Sequence, residues 1–102
     1  MYVPRHFESP SVEATLEVIR DNAFGLLIST GADALPSVTH VPMLAEVDSD
    51  NIVAVTGHLA RANDHVKALA DGQPVTAVFN GPHAYVSPRW YESINGVPTW
   101  NY

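Results

Sequence analysis

The turns between the apolar runs of this chain are too short to carry it back to the same end of a sheet. Leu26-Leu27-Ile28-Ser29-Thr30 is followed by Gly31-Ala32-Asp33-Ala34, and then by a long strand pattern from Leu35 to Val47. Asp48-Ser49-Asp50-Asn51 turns that pattern into Ile52-Val53-Ala54-Val55, whose β-branched residues read as a buried strand. A parallel neighbour needs a crossover of about a dozen residues or more, whereas connections this short make hairpins. The sheet is therefore expected to be antiparallel. Past Val55 the chain has room for a helix, with Asn63 as N-cap ahead of Val66, Leu69 and Ala70 and a close at Asp71-Gly72. Gln73-Pro74 restarts a strand with Val75, Ala77 and Phe79 on one side, and Asn80-Gly81-Pro82 turns it into His83-Ala84-Tyr85-Val86-Ser87.

An earlier helix opens at Ser9-Pro10, with Ser9 as N-cap and Pro10 in the first turn. It carries Val12, Leu16 and Ile19 on one face and ends at Asp21-Asn22. The order predicts a mainly β fold with helices: an antiparallel sheet curling into a small barrel with helices at its openings. With neither linker nor repeat, residues 1–102 are read as one domain. Two features sit awkwardly in that plan. Pro36 and Pro42 cannot donate to a ladder, so the second strand should lie at an edge, carry a bulge, or turn those positions toward a ligand or subunit. The N-terminal residues, broken by Pro4, read as an extended arm that packs Tyr2 and Phe7.

A chain of 102 residues builds only a marginal core, which makes association with a second copy an expectation. No apolar run is long enough for a bilayer and no signal-peptide layout opens the chain, so a cytoplasmic location with no membrane partner is expected. The absence of cysteine excludes disulfides, thiolate metal sites and a cysteine nucleophile. Five Lys and Arg against eleven Asp and Glu leave a net charge of −6, which argues against general attraction to nucleic-acid phosphates.

Candidate chemistry concentrates in two places. The first is Thr56-Gly57-His58-Leu59-Ala60-Arg61-Ala62-Asn63, where a strand ends and a helix begins. Its free N–H groups, Arg61 and Lys67 make either a phosphate cradle or an ordinary strand-to-helix connection with a solvated Arg. The second is the aromatic and polar run Gly81-Pro82-His83-Ala84-Tyr85-Val86-Ser87-Pro88-Arg89-Trp90-Tyr91 with Trp100-Asn101-Tyr102, suited to a planar heteroaromatic ring or equally to a core or subunit seam. None of the histidines stands in an H-x-x-x-H or H-E-x-x-H pattern, no serine lies in G-x-S-x-G, and neither G-x-x-x-x-G-K nor G-x-G-x-x-G occurs. Neither a metal site nor a hydrolytic triad is expected.

Those residues resemble the PaiB-type FMN-binding negative transcriptional regulators, a branch of the FMN-binding split-barrel proteins. The resemblance rests on Met1-Tyr2-Val3-Pro4-Arg5-His6-Phe7, Thr39-His40-Val41-Pro42, Gly57 to Asn63, Gly81 to Tyr91, and Val97-Pro98-Thr99-Trp100-Asn101-Tyr102, in that order. It covers the whole chain but about the first half of the family's length, so the barrel is expected to be truncated at its C-terminus. The resemblance implies a split-barrel homodimer with FMN at the interface and the FMN phosphate on Arg61, Asn63 and Lys67. It further implies Ser29, Thr30, Thr39, His40 and Val41 lining the flavin, His58 beside it, and Trp90 or Trp100 covering the ring across the seam. DNA would be reached only through the missing half or indirectly. The alternatives are a flavin-dependent oxidoreductase of the pyridoxamine phosphate oxidase or flavin reductase type, with His40 or His58 relaying protons, and a haem-binding split barrel.

Overall fold

A computed structural model describes residues 3–31, 35–92 and 96–101. Helix α1 spans Val12–Asp21, and its N-cap is Ser11, whose hydroxyl accepts from the Ala14 N–H at 3.2 Å. The sequence reading placed the cap two residues earlier, at Ser9. That hydroxyl instead donates to the Ser11 carbonyl and meets the Thr15 hydroxyl, bracing the turn that Pro10 leaves extended. The helix turns Ile19 into the core, with Val12 and Leu16 half-buried. Before it, Arg5–Phe7 form a single 3₁₀ turn and not an extended arm; Phe7 is 54% exposed with its ring against His6. Tyr2 lies outside the described residues.

Strands β1 (Phe24–Thr30), β2 (Pro36–Asp48), β3 (Asn51–Gly57) and β4 (Val75–Val78) form one antiparallel sheet in the order β3-β2-β1-β4. The sheet curls into a half-barrel: its antiparallel pairing is what the short turns predict, and its shape is consistent with the split barrel that the resemblance implies. Its curl comes from β2, which pairs with β1 along residues 36–42 and with β3 on its other edge along residues 43–48. Burial along β2 alternates strictly: Ser37, Thr39, Val41, Met43 and Ala45 face the core while Val38, His40, Pro42, Leu44 and Glu46 face out. Gly25, opposite Val41, keeps that core closed; a Cβ there would stand 2.7 Å from the Val78 carbonyl oxygen and 2.8 Å from Met43 Cε.

At the other end of β2, Ser49 and Asp50 both take positive φ (48° and 67°), as a type I′ hairpin turn requires. Val53 is the extra residue of a bulge, since Glu46 pairs with Ala54 but Val47 with Ile52. β3 is not the buried strand that its β-branched composition suggested: Val53 is 60% and Val55 41% exposed. It is the outer strand of the sheet. β5 (Ala84–Val86) and β6 (Thr99–Asn101) pair antiparallel in a separate two-stranded ribbon.

Helix α2 spans only Asp64–Ala68, shorter than the sequence reading, because Leu69 is already extended and Gln73 seizes the chain behind it. The Gln73 side chain accepts from the Ala70 N–H at 3.1 Å and donates to the Thr30 carbonyl at 2.6 Å, tying the end of the helix to the end of β1.

The buried core is small, with Ile19, Val41 and Met43 the buried apolar side chains among the described residues. The accessible surface is 8396 Å², against roughly 5,700 Å² for a compact monomer of this mass. The radius of gyration of 17.5 Å likewise exceeds the value of about 13 Å usual for such a length. Much apolar surface is therefore left uncovered, notably Phe24, Val38 and Leu44 on the outer face of β1 and β2.

Candidate functional site

Pro42 decides where the chain leaves the sheet. The Met43 N–H donates to the Ala23 carbonyl at 2.8 Å, so odd residues of β2 turn their backbone groups toward β1 and even residues toward the opposite edge. On that edge β3 is paired as far as Gly57, opposite Met43. The next hydrogen-bonding position on β2 is Pro42, which has no N–H to offer. The ladder stops, and residues 58–63 turn away as an elbow. Pro36, also at an even position, brackets the other end of the open edge, so its missing donor costs no ladder bond. Between the two prolines, Val38 and His40 present backbone N–H and C=O groups to an edge that carries no paired strand among the described residues. The edge expected from the prolines is thus real, but confined to half of the strand.

The elbow itself is well formed. The Asn63 N–H donates to the Ala60 carbonyl at 2.9 Å, closing a turn with Arg61 and Ala62 at its corners. Asn63 caps α2 as expected, its side chain accepting from the His65 N–H at 2.9 Å. His58 and Arg61 are exposed, and Arg61 makes no ion pair among the described residues. Lys67 pairs with Asp64 at 2.5 Å, an exposed contact in which both side chains remain largely in water. A helix of five residues supplies little dipole, so the positive character of the elbow rests on Arg61.

The first hairpin divides its candidate residues between two faces. Ser29, Thr39 and Val41 lie on the core face, where Ser29 is 3% and Val41 2% exposed. There both hydroxyls are engaged by His65: Ser29 Oγ is 2.8 Å from its Nε2 and Thr39 Oγ1 2.8 Å from its Nδ1. Thr30 and His40 lie on the outer face, with the His40 ring stacked on Phe24 at 5.3 Å. Trp90 and Trp100 are elsewhere again. Trp90 ends the 3₁₀ turn Pro88–Trp90 and is 72% exposed, while Trp100 on β6 stands between His83 at 5.7 Å and Tyr85 at 6.2 Å. Among the described residues no strand pairing joins that ribbon to the main sheet.

His65 escaped the sequence reading as a site residue. Its spacing from Asn63 matches no metal or catalytic pattern, and only the fold brings it between two hydroxyls from paired strands. Among the described residues no three of His, Asp and Glu converge as a metal cluster would require, and no helix is long and apolar enough to cross a membrane.

Among the described residues, the open backbone edge of β2 and an Arg61 without an ion pair are the two features of this region that could hold a ligand. The chain is 35% identical over 102 residues to "Protease synthase and sporulation protein PAI 2" of Bacillus subtilis (strain 168), matching all of this chain and 48% of that protein. It is 29% identical over 122 aligned residues to "Uncharacterized protein YKL070W" of Saccharomyces cerevisiae (strain ATCC 204508 / S288c), again with all of this chain and 72% of that protein. The chain thus spans about half the length of the bacterial relative. A family described as "Putative FMN-binding domain" matches residues 1–102. Matched along its whole length, the chain belongs to that FMN-binding domain family.

Proposed function

We propose that this chain is the flavin-binding part of a regulatory protein, taking FMN at the notch between the open edge of β2 and the 58–63 elbow. The observation that carries the reading is the interrupted ladder: among the described residues no strand pairs with Val38 and His40 on that edge, and Arg61, in the elbow that follows β3, makes no ion pair. Amide-like edges of the isoalloxazine ring suit the first, and a phosphate suits the second. Asn63 fixes the elbow, and His58 adjoins it. Lys67 joins the phosphate by leaving Asp64, a cheap exchange because an exposed ion pair is worth about 0–1 kcal/mol. Thr30 and His40 reach the ligand by their outer face. Ser29, Thr39 and Val41 act from behind, through the shape of the strand.

A second copy completes the site in this reading. The uncovered apolar face of β1 and β2 supports it, and so does the excess of accessible surface. Trp90, exposed on its 3₁₀ turn, and Trp100, exposed on the β5–β6 ribbon, would then cover the ring from the partner. The net charge of −6 argues against DNA as the direct ligand of this chain. Titration of FMN into the purified protein, followed by flavin fluorescence, tests the reading. Arg61→Ala should weaken binding by about 1.5–3 kcal/mol through loss of a charge-assisted contact. A folded dimer that leaves FMN fluorescence unchanged would remove the proposal.

A further inference from the structure

We infer that His65 is the positioning residue of this site, holding the elbow so that a flavin with a phosphate is preferred to one without. The inference rests on the phosphate reading of Arg61. Helix α2 has five residues and does not hold itself, since helices that short are unstable alone. Its apolar residue Val66 and the Leu69 that follows the helix are only half-buried. What fixes it is the His65 ring, 4% exposed and bonded at both nitrogens.

Serine and threonine hydroxyls both donate and accept, so either neutral tautomer is fully satisfied between them. One ring N–H donates to a hydroxyl oxygen, and the other nitrogen accepts a hydroxyl proton. The two hydroxyls belong to β1 and β2, so the ring is clamped to the sheet and not to one mobile strand. From the clamp the path to Arg61 is short. The His65 N–H donates to Asn63 Oδ1 and the Asn63 N–H to the Ala60 carbonyl, which closes the turn carrying Arg61. A charged contact to a small anion needs its donor placed to within about 0.5 Å, and this chain of bonds fixes the backbone turn from which the Arg61 side chain reaches.

The test is the ratio of riboflavin to FMN dissociation constants, with thermal unfolding recorded for each variant. A merely structural loss weakens both ligands alike and leaves the ratio standing. The wild type should prefer FMN. His65→Leu should lower that preference by about tenfold or more, toward the value for Arg61→Ala. On an Arg61→Ala background it should change the ratio no further, and His65→Gln, which restores one hydrogen bond, should recover part of the preference. Thr39→Val keeps the ring and removes one hydroxyl, so it carries the test if His65→Leu does not fold; it too should lower the ratio. A wild-type ratio in folded His65→Leu or Thr39→Val, or a further loss on the Arg61→Ala background, overturns the inference. A wild type that does not distinguish the two flavins overturns the phosphate reading itself, and with it this one.

Discussion

Replacing Pro42 by valine should close the notch at little cost in stability and at considerable cost in flavin binding. Valine supplies the N–H that the β2–β3 ladder lacks and suits a strand position whose side chain faces outward. With Met43 opposite Gly57, continuing the register places residue 42 opposite His58, whose carbonyl would accept the new bond. One such bond contributes about 0.5–1.5 kcal/mol net. Losing a proline that already fits its strand frees the unfolded chain by about 0.4–1 kcal/mol. The two nearly cancel, so the midpoint of unfolding should move by only a few degrees, at about 4–8 °C per kcal/mol for a domain of this size. The geometry does not cancel. Pairing His58 draws the start of the elbow onto β2, displacing Arg61 and narrowing the edge that Val38 and His40 leave open. If the Arg61 contact is lost, FMN affinity falls by about 10- to 150-fold, the equivalent of 1.5–3 kcal/mol. Amide hydrogen exchange and FMN titration on the same sample decide the matter. Residue 42 should gain a protected amide and FMN should bind more weakly. A protected amide with unchanged FMN affinity would show that the interrupted ladder has nothing to do with the ligand, and an unprotected amide would show that Pro42 is not what ends β3.

Other consequences concern the scaffold. Gly25→Ala should destabilise by about 1–3 kcal/mol, read as a lower denaturant midpoint, because the added methyl meets a backbone carbonyl as well as the movable Met43 tip. Asp50→Gly should stabilise by about 0.5–1 kcal/mol, since Asp50 holds a φ of 67° in the β2–β3 turn that glycine adopts without strain. The Glu13 carboxyl, which accepts from its own backbone N–H and from the Ser11 hydroxyl, titrates below the ordinary carboxylate range. Its contribution to α1 is present above the usual carboxylate pKa of about 4 and disappears as pH falls through the lowered folded value. Glu13→Gln should therefore flatten the acid side of the α1 exchange profile.

The sheet could be read from the sequence because its information is local. The short polar stretch at 48–51 and the shortness of the segment after Thr30, whose residues 32–34 lie outside the described ones, both point to hairpins, and β1–β2 and β2–β3 do pair antiparallel. The shortfalls arise where a distant residue decides. Ile52 to Val55 look buried by composition, yet β3 is the outer strand. Leu69 and Ala70 fit a helical period, but Gln73 reaches from Ala70 to Thr30 and ends the helix first. The resemblance implies Thr39 and Ser29 as flavin contacts, and the fold adds what no local pattern holds: both hydroxyls meet a histidine twenty-six or more residues away. The prolines are the instructive case. Seen singly, Pro36 and Pro42 leave open an edge, a bulge or a ligand, and no local rule chooses among them. The choice follows once both are found at even positions of one strand, because the same edge then lacks a donor at each end. A neighbouring strand can pair up to Pro42 and no further, so the edge beyond it stays open. The outward face of β1 and β2 is uncovered as well, with Phe24, Val38 and Leu44 exposed. In the proposed reading the interrupted edge takes the ligand and the apolar face takes a second copy, so binding and association are expected to depend on each other in this chain.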